Sequence, residues 1–187
     1  MITNPIIKGF NPDPSFLRVG PDYYIATSTF EWFPGVAIHH SRDLVNWELI
    51  GHGLTRRSQL DLLGVPNSGG IWAPSLSWDK GKFYLVYTIV RTWGMGQAFK
   101  DQHNYLVTTD HIEGPWSEPV FLNSSGFDAS LFHDDDGRKW LVQIQWDYRK
   151  GKGLRFTGAM AGLCAQDLNG NRVIADFDYG VMRTVSG

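Results

Sequence analysis

The 187-residue chain has a net charge of −2, 19% charged residues and no basic block, so it lacks the electrostatic footprint of a nucleic-acid binder. Its apolar runs are short, far below the roughly 20 residues that a membrane-spanning helix needs. The opening Met1-Ile2-Thr3-Asn4-Pro5 lacks the basic and apolar regions of a secretory signal, and Cys164 is the single cysteine; together these lead to the expectation of a cytoplasmic protein without an intrachain disulfide.

The elements read as short strands between turns. Residues 22–28 are β-branched and aromatic and follow Gly20-Pro21; residues 36–40 follow Pro34-Gly35; residues 47–50 follow a polar segment with Asp43 and Asn46. Residues 60–63 offer one short helical turn at most. Residues 82–88 follow Asp79-Lys80-Gly81, and strands are expected next at 104–109 and 115–120. A further round starts at 129–132, turns through Asp134-Asp135-Asp136-Gly137 and continues at 139–144. From Gly158 the style changes to small residues, with a turn at 167–171 and a short strand at 172–175.

The units repeat. Tyr23-Tyr24 leads to Ile38-His39-His40-Ser41 and then to Asp43–Trp47; Phe83-Tyr84 leads to Leu106-Val107-Thr108-Thr109 and then to His111–Trp116; a third round starts near Trp140. About four strands over a few tens of residues is the signature of propeller blades, which bury their faces only against neighbouring blades. The chain therefore reads as all-β, an incomplete β-propeller of about two and a half to three blades over residues 1–157, with a divergent tail over 158–187. Aromatics make up 14% of the chain, including eight Trp. Most of them fit sheet-on-sheet cores, and a few could line a sugar site.

Five phrases carry a resemblance: Lys8-Gly9-Phe10-Asn11-Pro12-Asp13-Pro14-Ser15, Tyr23 to Gly35, Ser41-Arg42-Asp43-Leu44-Val45-Asn46-Trp47, Gly70-Ile71-Trp72-Ala73-Pro74-Ser75, and Gly126 to Phe132. Over about Asn4 to Phe156 the chain resembles family 43 glycoside hydrolases of the β-xylosidase and α-L-arabinofuranosidase type. The resemblance implies a five-bladed propeller. It also implies inverting hydrolysis of O-glycosyl bonds in small xylose- or arabinose-containing oligosaccharides, with no cofactor and no metal. On it, Asp13 matches the general base, and Asp128 matches the carboxylate that tunes the acid's pKa and orients the substrate. Phe30 and Trp72 match the wall and floor of the sugar pocket. Pro12 and Pro14 stiffen the backbone around Asp13. Glu31 and Trp32 accompany the pocket motif without an assigned role.

Other polar clusters point elsewhere. His39 and His40 are neighbours in a strand and face opposite sides, a poor chelate, and His103, His111 and His133 have no metal-ligand spacing. Asp134–Gly137 lacks the spacing and closing Glu of an EF-hand and reads as a solvated turn. Inverting hydrolysis needs two carboxyls about 6.5–9.5 Å apart, and in the family the acid is a Glu in a later Thr-Glu-Gly-Pro-His phrase. Here the four Glu are Glu31, Glu48, Glu113 and Glu118, and no such phrase occurs. Asp167, Asp176 and Asp178 lie outside any expected phrase. Two readings follow: a truncated glycosidase, or a noncatalytic remnant that lacks the general acid and at most binds sugar weakly.

Overall fold

The computed structural model describes residues 2–93, 101–144 and the backbone of 166–167. Those residues form strands and no helix. The first sheet is an antiparallel meander of β1 (Ser15–Val19), β2 (Asp22–Thr27), β3 (Gly35–Ser41) and β4 (Glu48–Leu54), in that order. The second contains β5 (Gly70–Ile71), β6 (Ser75–Asp79), β7 (Lys82–Thr92), β8 (Asp101–Thr109) and β9 (Val120–Asn123). There β5 and β6 pair with successive stretches of β7, while β8 pairs with the same strand and carries β9. The third holds β10 (Phe127–His133), β11 (Lys139–Ile144) and β12 (Gln166–Asp167).

Strand alternation explains why the sheets stack. Along β7, Leu85, Tyr87 and Ile89 face the first sheet and meet Tyr24, Ala26 and Ile38. Val86 and Tyr84 face the third sheet and meet Ala129, Leu131 and Leu141. A strand buried on both faces reads as a continuous apolar run, which is why residues 82–88 were legible as strand. The hairpin from Asp79 to Lys82 turns on Lys80 (φ 49°) and Gly81 (φ 83°), two successive positive φ values as a type I′ turn requires.

Four local expectations need correcting. The strand expected at 115–120 is an extended segment, and β9 starts only at Val120. Trp116 is buried at 4% exposure, and its carbonyl receives a hydrogen bond from Arg56 Nη2 at 2.9 Å. The helical turn expected at 60–63 lies instead at Arg56–Leu60, where the amides of Gln59 and Leu60 both reach the Arg56 carbonyl at 3.0 Å. Strands β1 and β6 were not anticipated, because each follows a proline-bearing segment that reads as loop. The turn expected at 134–137 is present, with the Gly137 amide donating to the Asp134 carbonyl at 3.0 Å. The expectations for the tail lie outside the described residues, except that Gln166 and Asp167, the latter expected in a turn, pair with β11.

Gln59 welds the first connection to the second sheet. Its Oε1 accepts the amides of Thr55 and Arg56 at 3.0 and 3.1 Å, and its Nε2 donates to the Ser117 carbonyl at 2.9 Å. The Tyr87 hydroxyl in turn donates to the Gln59 carbonyl at 2.7 Å. Gln59→Ala leaves several buried backbone groups unpaired and is expected to destabilise the fold by about 2–4 kcal/mol, read by urea denaturation.

Candidate active site

The inner strands of the three sheets are β1, β6 and β10, with β1 and β10 each packing against β6. The Leu76 amide at the start of β6 donates to Ser15 Oγ at the start of β1 at 2.9 Å. A triplet ending on the serine that starts each regular ladder leads into the three strands: Asp13-Pro14-Ser15, Ala73-Pro74-Ser75 and Asp128-Ala129-Ser130. These nine residues line one open cleft of about 330 Å³. Blades one and three thus contribute a carboxylate at the same structural position, and blade two contributes an alanine.

Both aspartates have left-handed backbone, φ 53° at Asp13 and 51° at Asp128. That conformation is uncommon for residues other than glycine, and Asp and Asn tolerate it better than most. Each such residue costs of order 1 kcal/mol, held only where the surroundings over-determine it. At Asp13 the constraint comes from the end of β2. The Ser28 amide donates to the Pro12 carbonyl at 3.1 Å, and Ser28 Oγ donates to Asp13 Oδ2 at 2.7 Å. Ser28 is buried and Asp13 is exposed, so a fixed hydroxyl aims a carboxylate that water can reach.

Asp128 is half-buried. Its carboxyl is pushed up to about 6, first by burial and then by the negative charge of Asp13. Two carboxyls in one cleft with unequal exposure are a common way to give paired acids different proton affinities.

The expected wall residues lie beside this cleft rather than in it. Phe30, also left-handed at φ 46°, bridges to Ile71 and lines a neighbouring cavity of about 810 Å³ with Phe10, Glu31 and Trp32. Ser28 lines that cavity while bonding Asp13 of the cleft. Gly70, at φ 83°, has to be glycine, because a Cβ there would overlap the Phe30 carbonyl. Trp72 donates its indole N–H to the Ser68 carbonyl at 2.9 Å and packs edge-on to Phe127, centroids 5.4 Å apart, one residue before Asp128. Glu31 accepts the Ser68 amide at 3.2 Å. His39 and His40 do face opposite sides: His40 Nε2 meets Asp22 at 2.8 Å, while buried His39 lines the larger cavity with His52. Sequence reasoning missed Ser28 as a partner of Asp13; it is the middle of three consecutive hydroxyl residues, Thr27-Ser28-Thr29, in a matched phrase, and nothing local singles it out.

Three stacked antiparallel sheets whose inner strands open onto paired carboxylates are the blades of a propeller with a polar axial cleft. The chain belongs to the glycosyl hydrolases family 43, whose model matches residues 2–169. It is 66% identical over 148 residues to a beta-xylosidase of Bacillus subtilis (strain 168), a match covering 79% of this chain and 27% of that protein. It is 65% identical over 149 residues to xylosidase/arabinosidase 43B of Humicola insolens, covering 80% and 27%. The crystal structure of a xylan beta-1,4-xylosidase from Bacillus halodurans C-125 superposes with a TM-score of 0.77 at 69% identity, over 82% of this chain and 29% of that one. The chain thus spans about 27% of the length of the curated relatives it matches, and its sheets are consecutive blades of the family's five-bladed propeller.

Asp128 sets a pH signature. Its folded-state value of about 6 lies above the ordinary 3.8, so folding favours the protonated form. The stability it contributes is full below about pH 4 and is lost as pH rises through 6. Asp128→Asn keeps shape and backbone tolerance and removes that loss. It is expected to flatten the stability profile between pH 4 and 6 and to add about 1 kcal/mol at pH 7.5, allowing for solvent screening of a half-buried group. Denaturation melts across that pH range check it.

Proposed function

We propose that this chain carries the base half of an inverting glycoside hydrolase acting on small xylose- or arabinose-containing oligosaccharides. The observation that carries the reading is the pairing of Asp13 and Asp128 in one cleft at equivalent strand starts. The names of the relatives, beta-xylosidase and xylosidase/arabinosidase, supply the pentose.

In this reading Asp13, aimed by Ser28, takes a proton from the water that attacks the anomeric carbon. Asp128 holds the sugar hydroxyls and raises the proton affinity of the acid that faces it. Phe30 and Trp72 give the ring an apolar surround. The leaving oxygen needs a proton from a second carboxyl on the opposite side of the bond. Glu31, Glu48 and Glu118 are engaged with Ser68, His40 and Arg56, exposed Glu113 lies outside the cleft lining, and Asp13 and Asp128 are the carboxylates lining the cleft among the described residues. The acid therefore comes from outside those residues.

The test is complementation. The purified chain is mixed with the remaining C-terminal portion of a close relative, and xylobiose and a nitrophenyl arabinofuranoside are offered. Hydrolysis with inversion, followed by proton NMR of the first-formed anomer, is expected in the mixture. Asp13→Asn is expected to reduce its rate about 10²–10⁴-fold, the usual contribution of a general base. An inactive mixture whose tryptophan fluorescence still responds to xylose would instead favour a sugar-binding remnant, the reading that the missing acid supports.

A further inference from the structure

We propose that Asn104 is a positioning residue for Asp128: one buried amide fixes the segment that delivers this carboxylate and ties it to the peptide of Trp72. The inference rests on the site reading above. The backbone at Asp128 itself is not set by its strand ladder. Phe127 pairs with Ile144 and Ser130 with Val142, and the register slips between them, at Asp128 and Ala129. An irregularity of this kind leaves its residue free of ladder hydrogen bonds and lets it re-aim a side chain. Something else has to hold the left-handed turn.

Side chains from β8, β9 and β11 do so. Asn104, fully buried on β8, donates through Nδ2 to the Gly126 carbonyl at 3.1 Å and to Asn123 Oδ1 at 2.9 Å. Asn123 donates to Gln143 Oε1 at 3.1 Å, and Gln143 Nε2 donates to the Ser125 carbonyl. The two successive carbonyls before Phe127 are therefore both clamped. Gly126 sits at φ 124°, and a Cβ on it would overlap the Ile144 carbonyl, so only glycine fits this close approach. On the other side, Asn104 Oδ1 accepts the Thr88 hydroxyl at 2.6 Å, and the Thr88 carbonyl accepts the Trp72 amide at 3.2 Å.

Only an amide meets these demands. Its oxygen faces a donor and its nitrogen faces acceptors; a carboxylate would face two oxygens, and an apolar residue would leave all of them unpaired. The bland alternative is that the network merely satisfies buried polar groups. The two accounts separate in one readout: polar satisfaction alone changes stability, whereas positioning also changes how Asp128 titrates.

The experiment follows the aspartate carboxyl carbons of the full 187-residue chain by ¹³C NMR against pH, in wild type, Asn104→Ser, Thr88→Val and Gln59→Ala. In wild type Asp128 is expected to titrate near 6. In Asn104→Ser the carboxylate swings toward water and its midpoint falls by about one pH unit, roughly tenfold in proton affinity. Thr88→Val, which only frees the amide to rotate, gives a smaller fall in the same direction. Gln59→Ala touches none of these groups, lowers stability and leaves the midpoint in place. If Asn104→Ser does not fold, Thr88→Val decides by the same sign. A raised wild-type midpoint that neither substitution moves overturns the inference alone. A wild-type midpoint at the ordinary carboxylate value overturns the paired-carboxylate site and the inference with it.

Discussion

A β-sheet whose strands are apolar on both faces has to be covered on both faces, and that requirement organises this chain. Strand β7 is the clearest case, since its alternate side chains belong to two separate cores. Covering both faces of the second sheet forces the first and third to stack on it. Stacking in turn brings the inner strands β1, β6 and β10 together. The chain enters the first and third sheets along their inner strands and reaches β6 directly after the two-residue β5, so the residues leading into the three inner ladders arrive at one place. The cleft is thus a by-product of dry sheet faces, and its chemistry is decided by which residue each blade puts there: Asp13, Ala73 and Asp128.

Blades one and three share more than a carboxylate at this position. Both aspartates are left-handed, and the strain is borne differently at each. At Asp13 it is met by a neighbour in the same sheet, Ser28, which holds the preceding carbonyl and the carboxylate together. At Asp128 the hairpin partner cannot do this, because the ladder slips there, and the load passes to buried amides. A short acidic side chain on a fixed backbone has few rotamers and little reach, so backbone geometry translates directly into carboxylate position. That is a reason for Asp rather than Glu at the head of both strands.

Much of this was legible in the sequence, unevenly. Strands β2, β3, β7, β8 and β11 announce themselves through aromatic and β-branched runs beside turn residues. Strands β1 and β6 do not, since Pro12 and Pro14 before one and Pro74 before the other give each approach a loop's composition. Residues 115–120 look like strand for the opposite reason: Trp116 and Val120 are strand formers, yet Trp116 is spent on the core. Asp13 and Asp128 were legible as members of matched phrases. Their structural equivalence was not, because an Asp and a Ser with one residue between them are too common a pair to mark two blades as equivalent. Asn104 sat inside a segment read correctly as strand, but nothing local says which polar residue of a strand faces inward. Phe30 and Trp72 were legible as members of matched phrases, and the structure sets Phe30 in a cavity that Ser28 also lines and Trp72 against Phe127.

The order of causes acting on Asp128 bears on what this chain contributes by itself. Burial raises its carboxyl more than the charge of Asp13 does. Burial here comes from the packing of β10 against β6 and β7, all within the described sheets. The unequal character of the two carboxyls is therefore built by three blades and does not wait for a third acid. A further carboxyl entering the cleft would meet one exposed aspartate and one reluctant to ionise, and its own proton affinity would rise with each charge it faces. In the proposed hydrolase, these two unequal carboxyls would set the terms on which the acid works.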